Sequence, residues 1–204
     1  MPLDDLVLLV ADKNMEYALK GILKRPESLS IRPLTYKIER HSGRDGGVRT
    51  TGPETLALSQ DQFQHGILML DWEGSGTDTA DAIALERELD ERLERTWGDR
   101  AKTIVIHPEL DIWIWGSDNA LSLVLNWSET MTVRDWLRGQ DHTFDEHGKP
   151  TRPKEAIEKV LVKLRRPRSS TLYEKATSQI SLEKCVDPAF IRFKETLRKW
   201  FAIS

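Results

Sequence analysis

With 204 residues, the chain is long enough to bury one sizeable core or two small ones. Its 39% hydrophobic and 31% charged residues are those of an ordinary globular protein, and no apolar run approaches the roughly 20 residues that a bilayer span needs. A net charge of −3 speaks neither for nor against nucleic acid, while a single cysteine, Cys185, excludes an internal disulfide and fits a reducing cytoplasm.

The N-terminus carries Asp4 and Asp5 where a secretory signal has its basic start. Residues 6–11 (LVLLVA) form a continuous apolar run, as expected of a strand covered on both faces. Asp12, Lys13 and Asn14 supply acceptors suited to a helix cap, and Met15, Leu19, Ile22 and Leu23 then recur at helical spacing until Pro26 closes the segment. Residues 31–40 read as a second strand, 42–52 (SGRDGGVRTTG) as a glycine-rich basic loop, 56–63 as a short helix and 67–70 as a third strand. A charged helix over 79–97 has Ala82, Leu85, Leu89 and Leu93 as its inner stripe, and 103–106 (TIVI) is a fourth strand. Trp113 and Trp115 alternate as on a further strand. This alternation predicts an α/β domain with a mostly parallel sheet flanked by helices over residues 1–130. Beyond it, helical spacing over 133–138, 154–165, 172–180 and 188–201, interrupted by a polar loop at 139–153, predicts a C-terminal helical layer, 131–204, packed on the sheet.

Acidic residues gather at the ends of the predicted strands, where open α/β sheets place their ligands. Asp71 and Glu73 close the third strand ahead of Gly74-Ser75-Gly76; in extended backbone, residues two apart project to one side, and the glycines leave them open. Asp12 follows the first strand, with Glu16 one helical turn on, and Glu109 and Asp111 follow the fourth. Each pair has a plainer reading: a helix cap, a solvated face, a turn. Three such pairs at equivalent ends call for a counter-charge, and a hard divalent cation, Mg²⁺ or Mn²⁺, is the usual one. Arg40, Arg44 and Arg49, along the second strand and the glycine-rich loop, and Arg166 and Arg168, near a helix end, are candidate contacts for nucleic-acid phosphates. Lys154 is placed to reach the acids as a charge stabiliser. The chain has no G-x-x-x-x-G-K-[ST] phosphate loop for ATP, and the histidines at 142 and 147 lack zinc-site spacing.

Asp12-Lys13-Asn14-Met15-Glu16, an apolar helix, and then Asp71-Trp72-Glu73-Gly74 together resemble a Toprim active site. The chain more widely is similar to small Toprim-like bacterial proteins that accompany anti-phage defence genes, including the methylation-associated defence system. The matching segments are 10–23, 68–76, 105–115, 153–156, 168–173 and 185–201. The family's first acid is usually glutamate, where this chain offers Ala11 or Asp12, and its Asp-x-Asp reads here Asp-Trp-Glu. The resemblance implies Mg²⁺-dependent phosphodiester chemistry, with Asp12, Glu16, Asp71 and Glu73 around the metal and Glu109 as a further ligand or general base. Catalytic residues would then be Asp12, Glu16, Asp71, Glu73, Glu109 and Lys154, with Asp12, Asp71 and Glu73 as the metal ligands proper. Two functions follow as expectations: a nuclease-like subunit acting on DNA or RNA, or a non-catalytic module that assembles other defence-system proteins. A receiver-like role, with Asp71 as phospho-acceptor, would call for a lysine after a later strand, which the chain does not clearly offer.

Overall fold

The computed structural model describes residues 3–203. Strand β1 (Asp4–Val10) is buried at every position but its first, because it lies inside a four-stranded, all-parallel sheet. The order is β2-β1-β3-β4, with β2 at Tyr36–Arg40, β3 at Phe63–Asp71 and β4 at Ala101–Ile106. Helix α1 (Lys13–Leu23) and the short α2 (Pro26–Leu29) carry the chain from β1 out to β2. Helix α3 (Arg44–Ala57) returns it past β1 to β3, and α4 (Ala82–Trp97) leads on to β4. Right-handed crossovers running in opposite directions lie on opposite faces, so α1 covers one face while α3 and α4 pack side by side on the other. The winding reverses between β1 and β3, and their carboxyl ends flank the crevice where such sheets take ligands.

The C-terminal segment adds α5 (Asp118–Leu125), α6 (Val133–Arg138), α7 (Pro153–Lys163), α8 (Ser170–Gln179) and α9 (Pro188–Phe201). Helix α8 lies along α1 so closely that a Cβ on Gly21 would stand 2.2 Å from Thr177 Oγ1, and the Thr177 hydroxyl donates to the Ala18 carbonyl at 2.8 Å. Helix α9 flanks β4, and acids of α4 take the outer N–H groups of this edge strand. Asp90 accepts from Thr103 N at 2.7 Å and Glu86 from Val105 N at 2.8 Å, while Arg192 of α9 neutralises Glu86 at 2.7 Å. Tyr173, Phe190 and Phe193 thereby join Leu8, Leu68 and Ile104 in one apolar core.

The structure departs from the sequence reading in five places. Residues 42–52 are not a loop, since most of them form the first turns of α3. Their glycines serve close packing: a Cβ on Gly52 would meet Leu68 Cδ1 at 2.8 Å, and one on Gly47 would meet the His41 ring at 2.4 Å. The helix expected over 56–63 is only the end of α3, and β2 begins at Tyr36 rather than residue 31, Ile31 bridging Ala202 instead. Trp113 and Trp115 lie in and just after a 3₁₀ turn (Leu110–Ile114) that buries both, not on a strand. Helix α5 is too short to show a clear period and was not foreseen; Ser117 caps it and Asn126 ends it in the left-handed region at φ 50°.

Pro53 sits inside α3 and cannot donate to the carbonyl of Arg49. Arg92 of α4 fills that gap, donating to the carbonyls of Arg49 at 2.8 Å and Thr50 at 2.7 Å, and pairing with Glu54 at 2.7 Å. Replacing Arg92 by Met keeps the stem and strands those carbonyls. The expected cost is about 2 kcal/mol of unfolding free energy, read by urea denaturation. A loss under about 0.5 kcal/mol would mean that water replaces the guanidinium freely.

Candidate functional site

A cleft of about 1150 Å³ opens over the carboxyl ends of β1, β2 and β3. Its walls come from the start of α1 (Asp12, Asn14, Glu16), the end of β2 (Arg40), the start of α3 (Arg44, Asp45), the turn after β3 (Asp71, Glu73, Gly74) and the segment after β4 (Glu109, Asp111). Lys154 from the first turn of α7 and Arg168 from just before α8 close it.

Asp71 is the last residue of β3, held in register with Ile106 of β4. Its Oδ1 accepts from Leu110 N at 2.8 Å, and among the described residues no cation contacts its carboxylate. Burial, and after it the neighbouring Asp45 carboxylate, hold Asp71 well above the usual carboxylate range, with Asp111 and Asp12 pushing the same way. Asp45 accepts from the Asp71 backbone N–H at 2.8 Å, and burial followed by the Asp12 charge raises it too. A Cβ on Gly74 would stand 2.6 Å from Asp45 Oδ2, so this glycine makes room for the carboxylate. Asp12 caps α1, its Oδ1 accepting from Met15 N at 2.9 Å, and it lines the cleft as well.

Glu73 does not share a strand face with Asp71. The chain turns at Trp72 (φ −66°, ψ −47°) into a 3₁₀ turn, Glu73–Ser75, so the alternation stops at Asp71. Glu73 lines the cleft from that turn and is exposed. Glu16 reaches the cleft but is already neutralised, by Lys20 at 2.5 Å and Arg40 at 3.1 Å. Glu109 is buried, and Lys154 Nζ stands 3.6 Å from its Oε2. Burial, then Asp111, raise the Glu109 carboxyl to about 6, against the pull of Lys154.

Asp111 is only 2% exposed and is matched by partners. Arg168 Nη2 donates to both of its oxygens, at 3.0 and 2.8 Å, and the buried Tyr173 hydroxyl donates to it at 2.8 Å. Glu158 takes another side of the guanidinium at 3.0 Å. Of the five arginines expected at phosphates, Arg40, Arg44 and Arg168 line the cleft. Arg49 instead donates to the Ser75 carbonyl at 2.8 Å, fixing the turn after β3, and Arg166 to the Leu125 carbonyl at 2.8 Å, at the end of α5.

The sequence reading missed Asp45, because it took that stretch for a loop. The signal available was an acid in the first turn of a helix opened by Gly43. The acids at the crevice offer oxygen donors, which suit Mg²⁺ or Mn²⁺, and the buried Asp71 carboxylate fits a cation. The acids surround the end of β3 without converging: among the described residues, no three of His, Cys, Asp or Glu form a ready ligand set.

Carboxyls raised in the folded state bind protons more tightly there than in the unfolded chain. For Glu109 that contribution to stability is therefore full below about pH 4, the unfolded carboxylate range, and is lost as pH rises through about 6; Asp71 and Asp45 shift in the same direction. Asp71→Asn keeps the acceptor for Leu110 N and removes one charge. In metal-free protein it is expected to raise the melting temperature near pH 7.5 by about 2–4 °C per kcal/mol of repulsion relieved, and to change it little near pH 4. A lower melting temperature near pH 7.5 would show that the cluster carries no net repulsion. Comparison of the chain with protein-family models, with curated proteins and with solved structures gives no match, so the functional reading rests on this geometry and on the motif resemblance.

Proposed function

We propose that the cleft binds a divalent cation and acts on phosphodiesters, as a Mg²⁺- or Mn²⁺-dependent, Toprim-like nuclease. The observation that carries this reading is Asp71, a carboxylate at the switch point of the sheet, surrounded by Asp45, Asp12 and Asp111 and, among the described residues, touched by no cation. The two acidic motifs of the resemblance follow β1 and β3, which are neighbouring strands, and this supports the same reading. Mg²⁺ is commonly held by one or two carboxylates, waters and substrate phosphate, so a complete protein cage is not required.

Asp12, Asp71 and Glu73 are the residues that would hold the ion, with Asp45 behind Asp71. Once bound, the ion would supply positive charge to the phosphoryl oxygens as bond order shifts. Glu109, with its carboxyl near 6, is able to exchange a proton with water or a leaving group around neutral pH. Arg40, Arg44, Lys154 and Arg168 give the rim positive charge for a nucleic-acid backbone. The resemblance to small Toprim-like proteins supports placing this activity in a bacterial anti-phage defence complex, beside other defence-system proteins.

A second reading, a non-catalytic interaction module, is favoured by one observation: Glu16, an acid of the motif, is spent on Lys20 and Arg40. The two readings separate in one experiment. Purified protein is incubated with Mg²⁺ or Mn²⁺ and labelled DNA or RNA, with calorimetric titration of Mn²⁺ in parallel. The nuclease reading expects cleavage that Asp71→Ala reduces at least about 100-fold, together with loss of the binding heat. Intact nucleic acid and no heat from the wild-type protein would leave the module.

A further inference from the structure

The two edges of the sheet are finished in opposite ways. On β4 the outward N–H groups of Thr103 and Val105 are taken by Asp90 and Glu86, and α9 flanks the strand. On β2 the ladder to β1 uses the odd-numbered residues: Leu6 N donates to the Thr35 carbonyl at 3.1 Å, and His41 N to the Val10 carbonyl at 2.9 Å. By the alternation of a strand, the N–H and C=O groups of Tyr36, Ile38 and Arg40 point away from β1. Among the described residues no strand or side chain takes them, and β2 ends the sheet. Tyr36, Ile38 and Glu39 are half-buried, and Lys37 and Arg40 are exposed.

The residues on this edge read Tyr36-Lys37-Ile38-Glu39-Arg40. Charged side chains on an edge normally prevent pairing with another chain. Here the order is complementary to itself when reversed. An antiparallel copy centred on Ile38 sets Lys37 opposite Glu39 of the second copy, Tyr36 opposite Arg40, and Ile38 opposite Ile38. The outward N–H and C=O groups of Ile38 then bond to their own counterparts, and those of Tyr36 to those of Arg40. The Lys37–Glu39 positions fall on non-hydrogen-bonded pairs, where facing side chains come closest, and opposite charges there are favourable. Within one chain, Lys37 and Glu39 already pair at 2.6 Å, so their charged ends lie on one face of the strand and are presented to the copy together.

We propose that β2 is the interface of a two-fold dimer, in which a second copy of this chain extends the sheet across Ile38. A five-residue strand pair is a small contact, so the dimer is expected to be weak and dependent on concentration. It needs neither a metal nor an active cleft, and its test is separate from that of the proposed function.

The test is sedimentation of the wild type and two variants up to high micromolar concentration. Wild type should rise above the 23.5 kDa of one chain toward twice that mass. Lys37→Glu places two acids on each edge, and Glu39→Lys two bases, so each alone should remain a monomer while keeping its circular dichroism. Mixed one to one, acids face bases at both positions, and the dimer mass should return. Both variants lose the pair within the chain, so recovery on mixing reports the contact between chains. Ile38→Pro removes an outward N–H that the β1 ladder does not use, and should likewise remain a monomer. The proposal is overturned if wild type stays at one chain mass throughout, if either charge variant dimerises alone as wild type does, or if the mixture shows no recovery.

Discussion

The hydrogen bond from the Asp71 backbone N–H to the Asp45 carboxylate ties the first turn of α3 to the last residue of β3. It brings a second negative charge beside Asp71, in a crevice where Asp12 also caps its helix. A capping bond or a strand-end bond to a carboxylate is favourable taken singly. Their sum at one place is not: burial first, and neighbouring carboxylates after it, push both carboxyls up. The fold carries this repulsion because apolar burial elsewhere is large: β1 and β3 supply an almost unbroken row of buried side chains beneath it. A site that costs stability and is supported by its surroundings is the usual relation between function and fold.

The supporting parts are identifiable. Asp45 stands where it does because α3 is a helix, and the Arg49 carbonyl that Pro53 leaves in that helix is taken by Arg92. Gly74 gives the Asp45 carboxylate its space, and Arg49 pins the turn that carries Glu73. The positive side of the cleft has another origin. Lys154 and Arg168 belong to the C-terminal helices, and Arg168 is aimed by Asp111, Tyr173 and Glu158 before any ligand arrives. The close packing of α8 on α1 through Gly21 holds Arg168 over the acids.

Much of this order was legible in the sequence. The strands β1, β3 and β4 announced themselves as unbroken apolar runs, because parallel strands covered on both faces have no polar side. Helix α4 showed its period in Ala82, Leu85, Leu89 and Leu93, and the acids at 12, 71 and 109 were found at strand ends, where the cleft is. Helix α3 was hidden because its glycines, which permit close approach to Leu68 and His41, are also loop residues, and Asp45 was hidden with it. The shared direction of Asp71 and Glu73 failed because extended backbone ends at Asp71, which a two-residue spacing does not reveal. The neutralisation of Glu16 was half visible, in Lys20 four residues on; the other half, Arg40, comes from a neighbouring strand. Pairings of that kind depend on topology and leave no local mark.

The central claim, that the acids at the ends of β1 and β3 are there to hold a divalent cation, is most directly tested by crystals grown with Mn²⁺ and an anomalous difference map. The expected result is a peak in contact with Asp71 and within reach of Asp12 or Glu73, absent from crystals of Asp71→Asn. A map with no peak in the cleft, in crystals where these carboxylates are well ordered, would contradict it.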